Sequence, residues 1–398
     1  MQNIPQISLK AGREKSIRRR HPWVFSGAIA RVNGNPEAGS TVRVVSDSGE
    51  FLAYAAWSPR SQIRARAWSF DAASTINAAF IRQRIARAIE LRRQLHLMDD
   101  AGACRLVFSE ADGLPGLIVD RYRDYLVCQL LSVGAEFWRE AIVAALEELL
   151  VPRAIYERSD ASVRHKEGLE LRSGLLRGEL PGEPVEYTLH GVRQLVSIEQ
   201  GQKTGSYLDQ SVNRLRVAAY AKGASVLDAY SYSGGFALAA LHHGAADASL
   251  IDSSAEALQL AAHQATLNGV AARCQFTNAN VPQELRRLRD SGQRYDLVVL
   301  DPPKFVSSAQ QLQSGCRGYK DINMLGLQLL KPGGVLATFS CSGHVSADLF
   351  QKIVAGAAAD VRCDAQIIER LSQAPDHPVA LQFPEADYLC GLLVRMLP

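Results

Sequence analysis

The chain has 398 residues, 47% of them hydrophobic, and a formal net charge of +3. That length sets an expectation of two or three domains with ample core, and no apolar run is long enough to span a bilayer. The first residues, MQNIPQISLKAGREKS, lack the charged-then-apolar pattern of a secretory signal. Seven scattered cysteines without a C-x-x-C pair argue against a disulfide framework or a zinc site. The expectation is a soluble, cytoplasmic protein with no metal and no membrane partner.

Charge is unevenly spread. Residues 1–98 carry 16 Lys/Arg against 6 Asp/Glu, a balance of +10, which leaves −7 for residues 99–398. The run LKAGREKSIRRRHPW sets Lys10, Arg13, Lys15, Arg18, Arg19 and Arg20 against Glu14 alone. Such a run is either a solvated face or a phosphate-binding front, where counter-ion release rewards clustered cations. The arginine bias favours the second, because the guanidinium fork suits phosphates and stacks on bases. These six residues are therefore RNA-binding candidates.

Around that run, residues 7–73 alternate short β-type segments with Asn-Gly, Asn-Pro and Ser-Gly turns, which predicts a small β-barrel over residues 1–73. A helix follows over 74–97, with Ile81, Ile85 and Ile89 on one face. Residues 103–185 mix strands (RLVF, GLIVDRY, YLVCQLLS, AIYERSD) with the helical segment AEFWREAIVAALEELL, so 74–185 reads as a central α+β domain. The turn-rich stretch RGELPGEPVEY leads into a last domain, 186–398.

There, seven apolar segments (ASVLDAY, ASLID, RCQFTN, DLVVLD, VLATFS, AQIIER and YLCGLLVRML) alternate mostly with helical ones. This predicts a doubly wound, mostly parallel sheet. The last pair has no room for a helix between its members, and the turn residues there fit an antiparallel return.

In such sheets the ligand lies across the carboxyl ends of the strands. After the first strand comes DAYSYSGGFALAAL, in which Gly234 and Gly235 permit close backbone approach, Asp228 can accept from an ammonium group or amide, and Ser231 sits in the turn. The run is not G-x-G-x-x-G, which weakens a dinucleotide reading. Asp252 ends the second strand, where an acid can accept both ribose hydroxyls; its bland alternative is a helix cap. Asn278, Ala279 and Asn280 end the third strand near the expected adenine edge. A ribose acid and an adenine contact without a pyrophosphate loop suit S-adenosylmethionine. The polar stretch QGQKTGSYLDQSVNR, with Lys203, Thr204, Tyr207, Asp209 and Gln210, is expected to close over it.

Asp301 of DPPKF and Cys341 of LATFSCSGHV end what read as the fourth and fifth strands. A thiolate adding at cytosine C6, with an acid hydrogen-bonded at N3, makes C5 nucleophilic enough to accept a methyl group. Cys341 is the candidate nucleophile and Asp301 the candidate N3 contact. The bland alternative for Cys341 is a small buried hydrophobe, although Ser340, Ser342 and Gly343 carry it into a polar loop. Lys304 stands where methylases of exocyclic amines tend to place an aromatic after Pro-Pro.

HPWVFSGA, SQIRARAW, GQKTGSYLDQ, YSYSGGFAL, DPPKFV, CRGYKDINM and TFSCSGH, in this order, resemble the ribosomal large-subunit methyltransferase I family over nearly the whole chain. The resemblance implies a PUA domain, a central α+β domain and a Rossmann-like class I methyltransferase domain, acting on 23S rRNA to make 5-methylcytidine with S-adenosylmethionine. It implies that Cys341 is the nucleophile and Asp301 the acid, which also borders the cofactor. Three departures stand out: Asp228 where the family usually has Asn, Gln202 where it has His, and Ala279-Asn280 where it has an Asp pair. Two other readings stay open, a guanine N2 methyltransferase and a catalytically silent RNA-binding assembly factor. The sequence also leaves open which cytosine is chosen, whether naked rRNA or an assembling subunit is the substrate, the oligomeric state, and whether Lys304 or water removes the C5 proton.

Overall fold

The computed structural model describes residues 4–199 and 204–398, in two compact units. The first unit comprises Met1–Tyr187, Val196–Leu208 and Pro375–Ala386. It opens with β1 (Gln6–Leu9), α1 (Lys15–Arg18), β2 (Trp23–Phe25), β3 (Ile29–Asn33), β4 (Thr41–Val45), β5 (Phe51–Trp57) and β6 (Ile63–Ser69). These strands form one sheet in the order β2-β6-β5-β4-β1-β3, antiparallel except for β1 beside β4. Alternation sends Ile7, Val24, Val42, Val44 and Ala65 inward onto Ile17 of α1.

Helix α2 (Ala78–Gln94) starts later than the sequence predicts, because the Asn77 side chain accepts the Phe80 N–H and fixes the cap there. Its Ile81, Ile85, Ala88 and Ile89 are buried at helical spacing. Then come β7 (Ala103–Phe108), β8 (Leu117–Tyr122), β9 (Tyr125–Leu130), α3 (Val133–Phe137), α4 (Arg139–Leu150), β10 (Ala154–Ser159), α5 (Val163–Glu167) and β11 (Arg172–Gly178). They build a five-stranded sheet, β11-β10-β9-β8-β7, in which β9 and β10 are parallel. The α3–α4 crossover supplies the long connection that parallel neighbours require. The pair β12 (Val185–Leu189) and β13 (Val192–Val196) carries the chain between the units.

The second unit comprises Thr188–Leu195, Asp209–Ala374 and Asp387–Pro398. Its elements are α6 (Ser211–Ala218), β14 (Ser225–Ala229), α7 (Gly235–His242), β15 (Asp247–Asp252), α8 (Ala255–Leu267), β16 (Cys274–Asn278), α9 (Val281–Asp290), β17 (Tyr295–Leu300), α10 (Leu312–Gln328), β18 (Leu330–Ser340), α11 (Ala347–Asp360), β19 (Ala365–Leu371) and β20 (Cys390–Met396). Seven strands form one sheet, β16-β15-β14-β17-β18-β20-β19. β14 to β18 are mutually parallel, and β20 runs antiparallel to both its neighbours, as the terminal turn residues predict. Both faces are covered. Val226, Leu250, Leu297, Val299 and Phe339 pack into one core, and Leu227, Ile251, Val298, Leu300 and Leu336 into the other. Burial on both faces is why these strands read as unbroken apolar runs. Chain order reverses at β14/β17, which opens a crevice at the carboxyl edge of the sheet. Among the described residues, no helix is long and apolar enough to cross a membrane.

Candidate active site

The residues between β14 and α7 form a strained loop. Tyr230, Tyr232 and Gly234 all have left-handed backbone, with φ of 62°, 48° and 80°. Two tyrosines held there are costly, and such strain collects where a loop must hold a fixed shape for a ligand. The loop is tied by Ser231 N–H to Ile251 O (3.0 Å) and by Gly234 N–H to Ser231 O (2.8 Å). A Cβ at Gly234 would lie 2.8 Å from Leu250 Cδ2, and one at Gly235 would lie 2.5 Å from Arg214 Nε. Both glycines thus serve close packing within the protein, beyond the ligand approach expected from sequence.

Asp228, at the end of β14, is buried and accepts the Ala237 N–H through Oδ2 at 2.9 Å. Burial pushes its pKa up to about 7, with the negative charge of Asp301 adding to the rise and the Ala237 bond opposing it. Its Oδ1, Tyr230 Oη and Ser231 Oγ are buried without a hydrogen-bond partner among the described residues. Buried polar atoms are rarely left so. Three within four residues, at the crevice of a doubly wound sheet, suit a ligand with several donors and acceptors. S-adenosylmethionine, with its ammonium, carboxylate and ribose groups, fits that description.

Asp252 accepts Tyr232 N–H and Ser254 N–H, both at 2.8 Å, one through each carboxylate oxygen. Helix α8 is capped by Ser254, whose Oγ accepts Ala257 N–H, so capping is not what Asp252 is needed for. Each Asp252 oxygen keeps a lone pair for a further donor such as a ribose hydroxyl. Asn280 instead caps α9, accepting Gln283 N–H at 3.2 Å through its side-chain oxygen. Gln210 is buried and accepts from the Asn213 amide at 2.6 Å. Tyr207 is half-buried and belongs to the first unit, which the sequence did not reveal. Residues 200–203 of the expected covering segment, Lys203 included, lie outside the described residues.

Asp301 and Cys341 leave adjacent parallel strands at the same edge. β17 and β18 are in register at Leu300 and Thr338, so Cys341 stands two positions further out than Asp301 ((341 − 338) − (301 − 300)). Both residues stand just beyond the carboxyl ends of their strands, at the same edge of the sheet. Asp301 N–H donates to Ala229 O at 3.4 Å, joining the acid to the loop end of β14. Cys341 is half-buried, whereas Cys104 and Cys128 are buried in the first unit and burial pushes both thiols up to about 12.

A polar brace that sequence reasoning missed holds the two loops together. Ser342 Oγ accepts Val306 N–H at 3.3 Å and lies 2.9 Å from Tyr319 Oη on α10. Gly315 and Gly318 let that helix lie against the DPPKF loop: a Cβ on the first would meet Val306 Cγ2 at 2.3 Å, and one on the second the Phe305 ring at 3.2 Å. The G-x-x-G-Y spacing in SGCRGYKD was the available signal. Phe305 packs on Tyr319, with ring centroids 4.8 Å apart.

The basic candidates sit around α1. All six are exposed. Arg18 is held by Glu50 in a bidentate pair of 2.9 and 2.6 Å, and Lys10 Nζ donates to Gly27 O at 3.0 Å. Arg13, Lys15, Arg19 and Arg20 have no carboxylate partner among the described residues.

The chain matches the family models for a PUA-like domain over residues 7–70 and for S-adenosylmethionine-dependent methyltransferases over residues 140–395. It is 52% identical to the Ribosomal RNA large subunit methyltransferase I of Aeromonas salmonicida over 390 residues, covering 98% of each chain. It is 48% identical to the protein of the same name from Klebsiella pneumoniae over 395 residues, covering 99% of each. Its fold resembles that of a methyltransferase solved in complex with SAH (TM-score 0.85, 20% identity, 98% of this chain and 99% of that one). A SAM-dependent methyltransferase from Streptococcus mutans is similar too (TM-score 0.83, 20% identity, the same coverage). With a crevice suited to the methyl donor and full-length relatives at this identity, the chain belongs to the ribosomal RNA large subunit methyltransferase I family of S-adenosylmethionine-dependent methyltransferases.

Proposed function

We propose that this protein methylates a cytosine of 23S rRNA at C5 through a covalent Cys341–C6 adduct. The observation that carries this reading is the pairing of a half-buried thiol and a carboxylate at the tips of adjacent strands, β17 and β18. The names of the relatives support large-subunit rRNA as substrate. The proposed organisation is a PUA-like domain over 1–73, a central domain over 74–185 and the methyltransferase domain over 186–398.

Asp228, Ser231 and the Gly234–Gly235 turn border the methionine end of the cofactor; Asp252 takes the ribose, and Asn280 and Gln210 complete its surroundings. When bound, S-adenosylmethionine supplies an electrophilic methyl group. The Cys341 thiolate adds at C6, forming a C–S bond and breaking the C5=C6 double bond, while the protonated carboxyl of Asp301 donates a hydrogen bond to N3 and stabilises the negative charge that develops there. C5, now enamine-like, would take the methyl group as the methyl–sulfonium bond breaks and S-adenosylhomocysteine leaves. Loss of the C5 proton to a base then restores the double bond and expels the thiolate. A cytosine in a duplex leaves its stack for this, at a cost of a few kcal/mol.

The test is nucleoside mass spectrometry of unmodified 23S rRNA incubated with the protein and deuteromethyl S-adenosylmethionine. Labelled 5-methylcytidine is expected. Label on guanosine or on an exocyclic amine would replace this reading with a different base methyltransferase.

A further inference from the structure

Helix α2 carries five arginines. Three have carboxylate partners: Arg82 with Glu148 at 2.7 Å, Arg92 with Asp112 at 2.7 Å and Arg93 with Glu90 at 3.7 Å. The other two, Arg84 and Arg87, have none among the described residues, although they stand three positions apart on the helix. Both line a groove of about 690 Å³ within the first unit, and Arg20 lines it from beyond the end of α1. The volume is within the range of about 300–1,000 Å³ typical of ligand sites.

The groove is built to present these cations. Arg84 is partly buried, with its guanidinium 4.9 Å from the Phe80 ring centroid and one N–H donated to Trp68 O at 3.3 Å. Gly113 lets it lie against the turn after β7, since a Cβ there would sit 3.0 Å from Arg84 Nη1. Arg20 has left-handed backbone (φ 64°) and places its guanidinium 6.0 Å from the half-buried Phe70 ring. The carboxylates of the groove are engaged elsewhere: Glu110 with Trp23 Nε1, Asp112 with Arg92, Glu90 with Arg93, and Asp71 with Ala73 N–H. Burial, and the like charge of Arg87, lower the pKa of Arg84. An anion held between the two relieves that repulsion.

The geometry points to a single-stranded RNA subsite in this groove, with a phosphate held by Arg84, Arg87 and Arg20 and a base resting on Phe70. It lies on α2 and the adjoining barrel edge, shares only Arg20 with the basic run singled out in the sequence, and rests on the rRNA reading above. Three guanidiniums and an aromatic ring lining one groove suit backbone phosphate plus base stacking, the recognition mode of unpaired RNA.

The test measures fluorescence anisotropy of a labelled single-stranded 12-nucleotide RNA, and of a 23S rRNA fragment, against salt concentration. The full-length protein, Arg84→Gln/Arg87→Gln and Arg18→Gln are compared. The double variant is expected to lose on the order of tenfold in affinity at 0.1 M salt, with a shallower salt slope, each released phosphate contact removing about 0.7 from it. S-adenosylmethionine binding by calorimetry should be unchanged. Arg18→Gln, whose guanidinium Glu50 already neutralises, should move affinity less than twofold. The exposed single variant Arg87→Gln keeps the test open if the double variant fails to fold, and should show a smaller loss of the same kind. Unchanged affinity and slope in the α2 variants, while the wild type binds RNA, would overturn the subsite alone. Absence of RNA binding by the wild type would overturn the rRNA reading with it. Displacement of the RNA by poly-glutamate at equal charge would reassign the groove to an acidic protein partner.

Discussion

The five-stranded part of the first unit and the carboxyl edge of the seven-stranded sheet treat buried polar groups in opposite ways. In the first, buried charges are matched. Arg92 meets both oxygens of Asp112 and donates to Asp376 O, Arg105 meets both oxygens of Asp120, and Arg139 pairs with Glu157 and Glu136. At the second, Asp228 Oδ1, Tyr230 Oη and Ser231 Oγ are buried with no partner among the described residues, on a loop with three left-handed residues. Matched charges hold chain segments together, the Pro375–Ala386 return onto the central sheet among them. Unmatched groups carry a cost that a ligand can relieve. The contrast separates polar groups that the fold consumes from polar groups that it leaves open.

The two classes of cysteine give the largest expected contrast. Cys341→Ala should lower methylation on the order of a thousandfold or more, as removal of a covalent nucleophile does, and leave the melting temperature unchanged. Cys128→Ala, in mid-strand and fully buried, should cost stability and leave the rate per folded molecule unchanged. Single-turnover methylation together with thermal melting distinguishes them. The opposite pattern would make Cys341 a packing residue.

Next is the matched side of the comparison. Asp112→Ala strands the fully buried Arg92 guanidinium, and breaking such a pair costs about 3–5 kcal/mol. Urea unfolding of the full chain should show it as a lower midpoint. A change near zero would mean that Arg92 is satisfied by the Arg105 and Asp376 carbonyls alone.

Asp228 sharpens the unmatched side. Because its folded-state pKa is raised to about 7 from 3.8, the folded protein keeps a proton that the unfolded chain releases between about pH 4 and 7. Stability from this position is greatest below the unfolded pKa and falls as pH rises through 7. Asp228→Asn, which restores the residue usual in the resembled family, should therefore be more stable than wild type at pH 8, by on the order of 2 kcal/mol. The difference should shrink toward pH 5. Melting curves across that range check it, and a difference that grows on acidification would contradict the assignment.

The smallest effect belongs to the brace between the loops. Tyr319→Phe removes the hydroxyl 2.9 Å from Ser342 Oγ. A neutral hydrogen bond contributes about 1 kcal/mol, so kcat should fall about fivefold with KM for S-adenosylmethionine unchanged. Equal changes in both would place Tyr319 in cofactor binding instead.

Much of this was legible in the sequence, because the strands of the methyltransferase sheet are buried on both faces and read as apolar runs that end in polar residues. Asp228, Asp252, Asp301 and Cys341 were visible for that reason: each stands at or just beyond a strand's carboxyl end. What the sequence hid depends on side chains meeting across long separations. Arg92 sits on an arginine-rich helix and reads as surface, yet it is completely buried because Asp112 and Asp376 converge on it. Asn280 reads as a ligand contact, and its side-chain oxygen also caps α9. Arg18 reads as part of a phosphate-binding front, although Glu50, 32 positions later, engages it. Short-range pattern finds strand ends, and only the folded chain shows which charges are spoken for.

The measurement that bears most directly on the mechanism is intact-mass and peptide-mapping analysis of the protein incubated with S-adenosylmethionine and 23S rRNA transcribed with 5-fluorocytidine. Fluorine at C5 cannot leave as a proton does, so the adduct persists. The account predicts a methylated RNA–protein adduct mapped to Cys341 and absent from Cys341→Ala. Turnover on ordinary rRNA without any such adduct, or an adduct on another cysteine, would contradict it.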